Sequence, residues 1–250
     1  MFNYITLQKE LAELEKNKEQ FEAVHCKTHC VVLAGPGSGK TKTLTTAIAR
    51  TLNEEVIAPR AIACITYNNE CAIELETRLS KLGVETTGTN FIGTVHSFAL
   101  TQIIMPYSHC VECNIPQDFK VAGSKECRIA IEDAYKKIYQ DSGDPHKQWE
   151  FAKEKRNREL DRTLQSWKGH NKELAEFIEE YEQELRKIKL IDFDDMPLIA
   201  FRMIKENPWI RKALEARFPI LFVDEYQDLG HGLHELVQLL CFDGNVRLFA

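Results

Sequence analysis

The chain has 250 residues, 44% hydrophobic and 28% charged, with a net charge of −6. That length buries a sizeable core in one large or two smaller domains, and the composition is globular rather than disordered or fibrous. No apolar run approaches the ~20 residues of a membrane helix, and the first residues lack the basic start and apolar stretch of a secretory leader; a cytoplasmic protein without a membrane partner is expected.

Residues 5–16 read as a helix with Leu7, Leu11 and Leu14 on one face. Asn17-Lys18-Glu19-Gln20 opens a second helix. Gln20 has two readings there: a member of the helix cap, or an amide that both donates to and accepts from an adenine edge. The apolar run Cys30-Val31-Val32-Leu33 reads as a short buried strand. Ala34-Gly35-Pro36-Gly37-Ser38-Gly39-Lys40-Thr41 follows, then a helical pattern over 41–52. Strand, glycine loop, lysine, hydroxyl and helix, in that order, are the parts of a phosphate-binding loop. The glycines let backbone N–H groups turn toward one point, and the helix start adds its own unsatisfied donors. Lys40 is expected to reach the β- and γ-phosphates and the Thr41 hydroxyl to bind Mg²⁺. The expected ligand is a nucleoside triphosphate with Mg²⁺.

Further apolar runs at 61–66, 91–95, 220–223 and 246–249 are each short enough for a buried strand. A helical pattern over 69–82 closes at Gly83, a C-terminal cap. Short buried strands alternating with helices predict an α/β fold, a parallel sheet covered on both faces. Residues 100–190 are nearly all helix-period and heavily charged, and read as a helical insertion splitting that core into 1–99 and 191–250. Within the insertion, 153–168 is mostly basic with Trp167, and 173–184 is acidic. Such runs form a solvated helix face or, for the basic one, a stripe facing nucleic acid.

Of the eight cysteines, Cys64, Cys71 and Cys241 are expected as small hydrophobes in or beside the core. Cys110 and Cys113 make half a zinc site with no second pair at finger spacing, so plain thiols are expected there.

The run at 220–223 ends in Asp224-Glu225-Tyr226-Gln227-Asp228. Asp224 is expected to hold Mg²⁺ and Glu225 to orient and deprotonate an attacking water. Adjacent residues at a strand end diverge, one toward the metal and the other toward the γ-phosphate. Without a cation, two such carboxylates repel each other.

Taken in order, these segments resemble the N-terminal part of a UvrD/Rep/PcrA-type superfamily 1 DNA helicase. Asn17 to Gln20 with Ala23-Val24 resembles the family's Q motif, which implies the adenine role for Gln20. Ala34 to Thr41 resembles motif I, and Asp224 to Asp228 motif II. Ile65-Thr66-Tyr67-Asn68-Asn69-Glu70-Cys71-Ala72 resembles motif Ia, and Gly93-Thr94-Val95-His96-Ser97-Phe98 the motif after it; both face single-stranded DNA in the family. Ile191-Asp192-Phe193-Asp194-Asp195-Met196 resembles the return from the insertion. The resemblance thus implies a RecA-like P-loop NTPase core, ATP as cofactor, Lys40, Glu225 and Gln227 as catalytic residues, and Thr66, Tyr67, Asn69 and His96 as DNA contacts.

Read as residues alone, Tyr67 is a stacking platform for a base, worth about 1–3 kcal/mol, or a core aromatic. His96 is a phosphate or base contact, or a satisfied structural histidine. Asn69 doubles as a helix cap. The mild acidity does not exclude a nucleic-acid partner, since net charge averages away local patches. The sequence departs from the family at Glu70 and Cys71, where a basic residue and an alanine are usual, and after motif II at Leu229-Gly230 and Leu233. The resemblance implies 3′-to-5′ movement along single-stranded DNA, or at a single-strand/duplex junction, with a second RecA-like domain supplying arginines to the ATP site. The 250 residues are therefore expected to bind nucleotide weakly and hydrolyse it negligibly by themselves. A DNA- or partner-stimulated ATPase of a defence or regulatory system, without strand separation, would share every nucleotide-site residue.

Overall fold

The computed structural model describes residues 4–35, 37–84, 88–140, 143–169, 171–228 and 230–250. It divides into two compact units: Met1–Phe98 with Pro208–Gly230 and Val237–Ala250, and Ala99–Asn207 with His231–Leu236. In chain order the elements are α1 (Tyr4–Leu14), α2 (Lys18–His25), α3 (Lys40–Glu54), β1 (Ile62–Thr66), α4 (Asn69–Lys81), β2 (Phe91–Thr94) and α5 (Val95–Phe98). A π-helical turn (Ala99–Ile104) leads to α6 (Met105–Tyr107), β3 (Lys120–Val121), α7 (Ser124–Tyr139), α8 (Pro145–Arg158), α9 (Ser166–Gly169), α10 (Lys172–Lys187), β4 (Leu190–Ile191) and α11 (Asp195–Glu206). Then come α12 (Pro208–Arg217), β5 (Ile220–Val223), α13 (Gly230–Val237) and β6 (Arg247–Phe249).

In the first unit the sheet runs β2-β1-β5-β6 with every pairing parallel. All residues of β1 and β5 are buried, as the two central strands of a sheet covered on both faces require. Leu7, Leu11 and Leu14 line the buried face of α1, in one core with Ile48, Leu75 and Phe222. Asn17 caps α2 by accepting from the Gln20 backbone N–H at 3.3 Å. The cap of α4 is Asn68, whose Oδ1 accepts from Cys71 N at 2.8 Å; Asn69 is instead its first helical residue. Gly83, at φ +77, closes that helix, a conformation glycine adopts without steric cost.

The run Cys30 to Leu33 departs from the buried strand expected of it. Cys30 N donates to Leu248 O at 2.9 Å, Val32 N to Ala250 O at 2.7 Å, and Ala250 N to Cys30 O at 3.0 Å. The backbone thus pairs along the free side of β6, with one parallel bridge at Cys30. Val31 remains 63% and Leu33 93% exposed. Burial fails because the segment borders the sheet, where hydrogen bonding is satisfied on one side only.

The second unit is a helical cluster with a two-residue parallel pairing of β3 and β4. Its core joins α7, α8 and α10 through Tyr135, Trp149, Phe177 and Tyr181, which meet edge-on or tilted at centroid distances of 4.1–5.8 Å. The basic run at 153–168 divides between two faces: Lys153, Arg158 and Lys168 are exposed, whereas Arg156 turns inward. Arg156 is 1% exposed, because it shares the inward face of α8 with Trp149 and Ala152. It donates to Glu182 at 2.9 Å and to Asp192 at 2.9 and 3.0 Å, and it also contacts Asp195. Arg162 grips Glu182, and Lys155 pairs with Glu159 at 2.9 Å while lying over the Trp167 ring. Burial alone would raise the Asp195 carboxyl, but Arg156 and Arg186 outweigh it and hold it at about 2. All eight cysteines are free thiols; Cys64 and Cys241 are buried, whereas Cys71 is half-buried and Cys110 exposed. No helix among the described residues is long and apolar enough to cross a membrane.

Candidate functional site

The carboxyl ends of the parallel strands share one edge, the place where open α/β sheets bind ligands. Val223 closes β5 opposite Ile65 of β1, and Asp224 N still donates to Ile65 O at 2.9 Å. Glu225 then takes φ +50, a left-handed conformation that costs a non-glycine residue of order 1 kcal/mol and concentrates at functional turns. The chain turns there, and both carboxylates line one cavity.

The glycine loop between Leu33 and α3 uses Gly37 at φ +75 and Gly39 at φ +88. A Cβ on Gly39 would sit 3.0 Å from Gln20 Nε2. That approach exists because Gln20 Nε2 donates to Ser38 O at 2.8 Å, while Ser38 Oγ donates to Gly35 O at 2.7 Å. The Gln20 backbone N–H thus takes part in the α2 cap, and its side chain ties that helix to the glycine loop. Ala34 and Gly35 are exposed; Pro36 lies outside the described residues.

Lys40, the first residue of α3, places Nζ 3.2 Å from Glu225 Oε2. Gln227 Nε2 donates to the same carboxylate oxygen at 2.5 Å. The Gln227 hydrogen bond, followed by Lys40, lowers the Glu225 carboxyl below the usual range. Asp224 shifts the other way: burial and then the Glu225 charge raise it, with Lys40 only partly opposing. Lys40, Thr43, Asp224, Glu225 and Gln227 line one cavity of about 310 Å³. A second, of about 430 Å³, extends from Lys40 and Ser38 to Gln20, Ala23 and Cys26.

These features suit a magnesium-bound triphosphate. Asp224 lies among groups that raise its carboxyl, with Lys40 alone among cations opposing, whereas Thr41, expected as the hydroxyl ligand, lines neither cavity and Thr43 lines both. No group of three or more His, Cys, Asp or Glu is arranged for metal among those residues. A cation here would draw on one carboxylate, a hydroxyl, water and phosphate oxygens, a donor set that suits Mg²⁺ rather than a softer metal.

The expected DNA contacts stand at the neighbouring strand ends. Thr66 and Thr94 are in register at the ends of β1 and β2. Tyr67, the next residue, is 59% exposed, and Asn69 is exposed at the start of α4. His96 is partly buried in α5. Thr66 is fully buried and its hydroxyl donates to Asn68 O at 3.0 Å, so it shapes the turn rather than meeting a ligand from solution. Glu74 escapes a motif reading, although its charge adds to the raising of Asp224. Its one signal in the sequence is its place one turn beyond Glu70 on the same helix.

Known proteins resemble this chain over most of its length. Residues 16–250 match the model of the UvrD/REP helicase N-terminal domain. ATP-dependent DNA helicase Rep of Buchnera aphidicola subsp. Acyrthosiphon pisum is 31% identical over 84% of this chain and 33% of its own length. DNA helicase II of Escherichia coli K12 is 28% identical over 91% of this chain and 32% of its own, and PcrA of Staphylococcus aureus Mu50 is 27% identical over 90% and 31%. The chain spans about a third of the length of these curated relatives. It belongs to the UvrD/REP helicase N-terminal domain family.

Proposed function

We propose that this chain is the nucleotide-binding part of an ATP-dependent DNA helicase that moves 3′ to 5′ along single-stranded DNA toward a duplex junction. The observation that carries the reading is the 3.2 Å approach of Lys40 to Glu225 on a cavity that Asp224 also lines. On this reading the first unit is the first RecA-like core and the second is its helical insertion, so that the core resumes at Pro208 and not at the expected residue 191.

The backbone of Ala34, Gly35, Pro36, Gly37, Ser38 and Gly39 cradles the phosphates, and the Gln20 amide meets the adenine edge. Lys40 leaves Glu225 for the β- and γ-phosphate oxygens. Freed of that ion pair, Glu225 accepts a proton from the attacking water, and Gln227 orients its carboxylate. Asp224 and Thr41 would hold Mg²⁺, which supplies positive charge to the phosphate oxygens when bound. Tyr67 stacks on a base, Asn69 and His96 contact the strand backbone, and Thr66 holds the turn that presents them. No arginine lines either cavity among the described residues. The charge developing on the transferred phosphoryl group is therefore met by arginines of a second RecA-like domain, worth about 10³–10⁵ in rate.

The test uses the full-length protein with ATP and Mg²⁺ on duplexes carrying a 3′ or a 5′ single-stranded tail. Displacement from the 3′-tailed duplex is expected, and Glu225→Gln should keep nucleotide binding while stopping turnover. ATP turnover without displacement on either substrate would overturn the helicase reading.

A further inference from the structure

Two thiols stand together on the wall of the cavity that runs from the glycine loop to α2. Cys26 caps the C-terminal end of α2, and Cys30 begins the stretch that pairs along β6. Both line the cavity of about 430 Å³ that Gln20, Ser38 and Lys40 also line, and both are partly exposed. The Cys26 side chain folds back over the intervening turn. Its Sγ lies 3.5 Å from Thr28 Oγ1, 3.6 Å from Thr28 O and 3.9 Å from His29 O, the carbonyl immediately before Cys30. The two thiols are within hydrogen-bond reach of each other. Among the described residues no third metal ligand joins them, so the pair is a dithiol.

The two members are chemically unequal. The Thr28 hydroxyl foremost, then the Thr28 backbone, the Cys30 thiol and Arg247, lower the Cys26 thiol against the opposing effect of burial. Cys30 is pushed up to about 11, by burial first and then by the charge and hydrogen bond of Cys26. Arg247 shares Glu55 with Lys27 and Arg50. Glu54 is the one further carboxylate bonded to these cations among the described residues, so the group keeps a positive charge beyond its carboxylates. Glu19 and Glu22, also on the cavity wall, are exposed. The thiolate is the nucleophile of disulfide exchange, and an accessible thiol of lowered pKa beside a second cysteine is the arrangement of redox-responsive pairs.

We propose that Cys26 and Cys30 are a thiol–disulfide exchange site, which reacts with a small organic disulfide and is shielded when nucleotide fills the cavity. The shielding rests on the function proposed above; the exchange chemistry does not. The Cys26 thiolate attacks one sulfur of the small disulfide, and a mixed disulfide forms as the original S–S bond breaks. The departing thiolate takes up the proton that Cys26 released. Cys30 then gives up its proton and attacks Cys26 Sγ, expelling the second small thiolate, which takes that proton. Two protein thiols are oxidised to one disulfide while the small disulfide is reduced to two thiols. The adduct on Cys26 removes the thiolate charge that helps to hold Cys30 up, so the first step readies the second.

The experiment treats full-length protein with 2-hydroxyethyl disulfide, a neutral reagent, and maps tryptic peptides by mass spectrometry. Trypsin cuts after Lys27, so peptides 19–27 and 28–40 stay joined only through a Cys26–Cys30 disulfide. Joined peptides are expected from wild type, a stable mixed disulfide on Cys26 from Cys30→Ser, and an unmodified Cys30 from Cys26→Ser. Saturating ATP with Mg²⁺ should slow the joining at least about tenfold. No joined peptides from wild type, or a Cys30 modified just as fast in Cys26→Ser, overturns the exchange site. Calorimetry of ATP binding to the untreated protein separates the remaining outcomes. ATP that binds without slowing the joining overturns the shielding alone. No ATP binding overturns the function proposed above together with the shielding, and the joined peptides still decide the exchange site.

Discussion

Asp195 in the second unit and Asp224 in the first are both withdrawn from water, yet their surroundings push them in opposite directions. Asp195 accepts from Arg156 and Arg186, and its carboxyl is held at about 2. Asp224 has burial and the neighbouring Glu225 against it, and its carboxyl is raised. The first environment is electrostatically closed: each buried carboxylate has a guanidinium within hydrogen-bond reach. The second is open, with one lysine shared at a cavity wall. Closed charge clusters specify a fold, whereas open ones store an unmet demand that a ligand satisfies. The two regions differ in what has been left out rather than in the kinds of residue they use.

The comparison breaks most visibly at Arg156. Arg156→Met leaves Glu182, Asp192 and Asp195 without their common partner, and removing one member of a buried ion cluster costs about 3–5 kcal/mol. At roughly 2–4 °C per kcal/mol for a chain of this size, the melting temperature should fall by roughly 6–20 °C. A fall of less than about 2 °C would mean that the cluster adds nothing to stability. Acid sharpens the same point. A depressed carboxyl stabilises the fold fully above its ordinary value of 3.8, and the contribution fades as pH falls toward about 2. Between those limits wild type should lose more stability than Asp195→Asn, as followed by circular dichroism.

Lys40→Ala should act on function and leave the fold alone. Losing one charge-stabilising donor lowers turnover about 10²–10³-fold in comparable sites. Loss of the partly exposed pair with Glu225 changes stability by about 1 kcal/mol or less. Steady-state ATP turnover of the full-length protein, read beside its melting curve, separates the two effects. Gln20→Ala should weaken nucleotide binding about tenfold, because its amide both ties Ser38 to α2 and faces the second cavity. An unchanged affinity would reduce Gln20 to a capping residue.

The smallest stability effect, and the one of opposite sign, belongs to Asp224→Asn. A raised carboxyl favours the fold only at low pH, and that contribution is lost as pH rises through its value in the folded state. At neutral pH the variant should melt at or slightly above wild type while losing Mg²⁺-dependent stabilisation. A clear drop in melting temperature without Mg²⁺ would place Asp224 with Asp195 as a structural carboxylate.

The strand ends could be read in advance because each short apolar run stops at a polar pair or a turn, and burial follows from the run itself. The ends of β1, β2 and β5 lie within a residue of those expected. The α4 cap slipped by one residue because Asn68 and Asn69 are chemically identical candidates, and only the backbone conformation selects between them. The Cys30–Leu33 run looked buried because apolarity carries no information about how many neighbours a strand will have. The basic run in α8 misled for a related reason: one-dimensional charge counts do not reveal which cation faces inward.

From the sequence alone came the α/β character of the chain, the order of its strands and helices, and the residue types offered at the strand ends, since these depend on local periodicity and turn chemistry. Tertiary structure decided the rest. It set the Gln20 amide on Ser38, brought Lys40 to Glu225 across 185 positions of chain, and turned Arg156 inward. Pairing and desolvation depend on distances between residues far apart in the chain, and no local pattern encodes those distances.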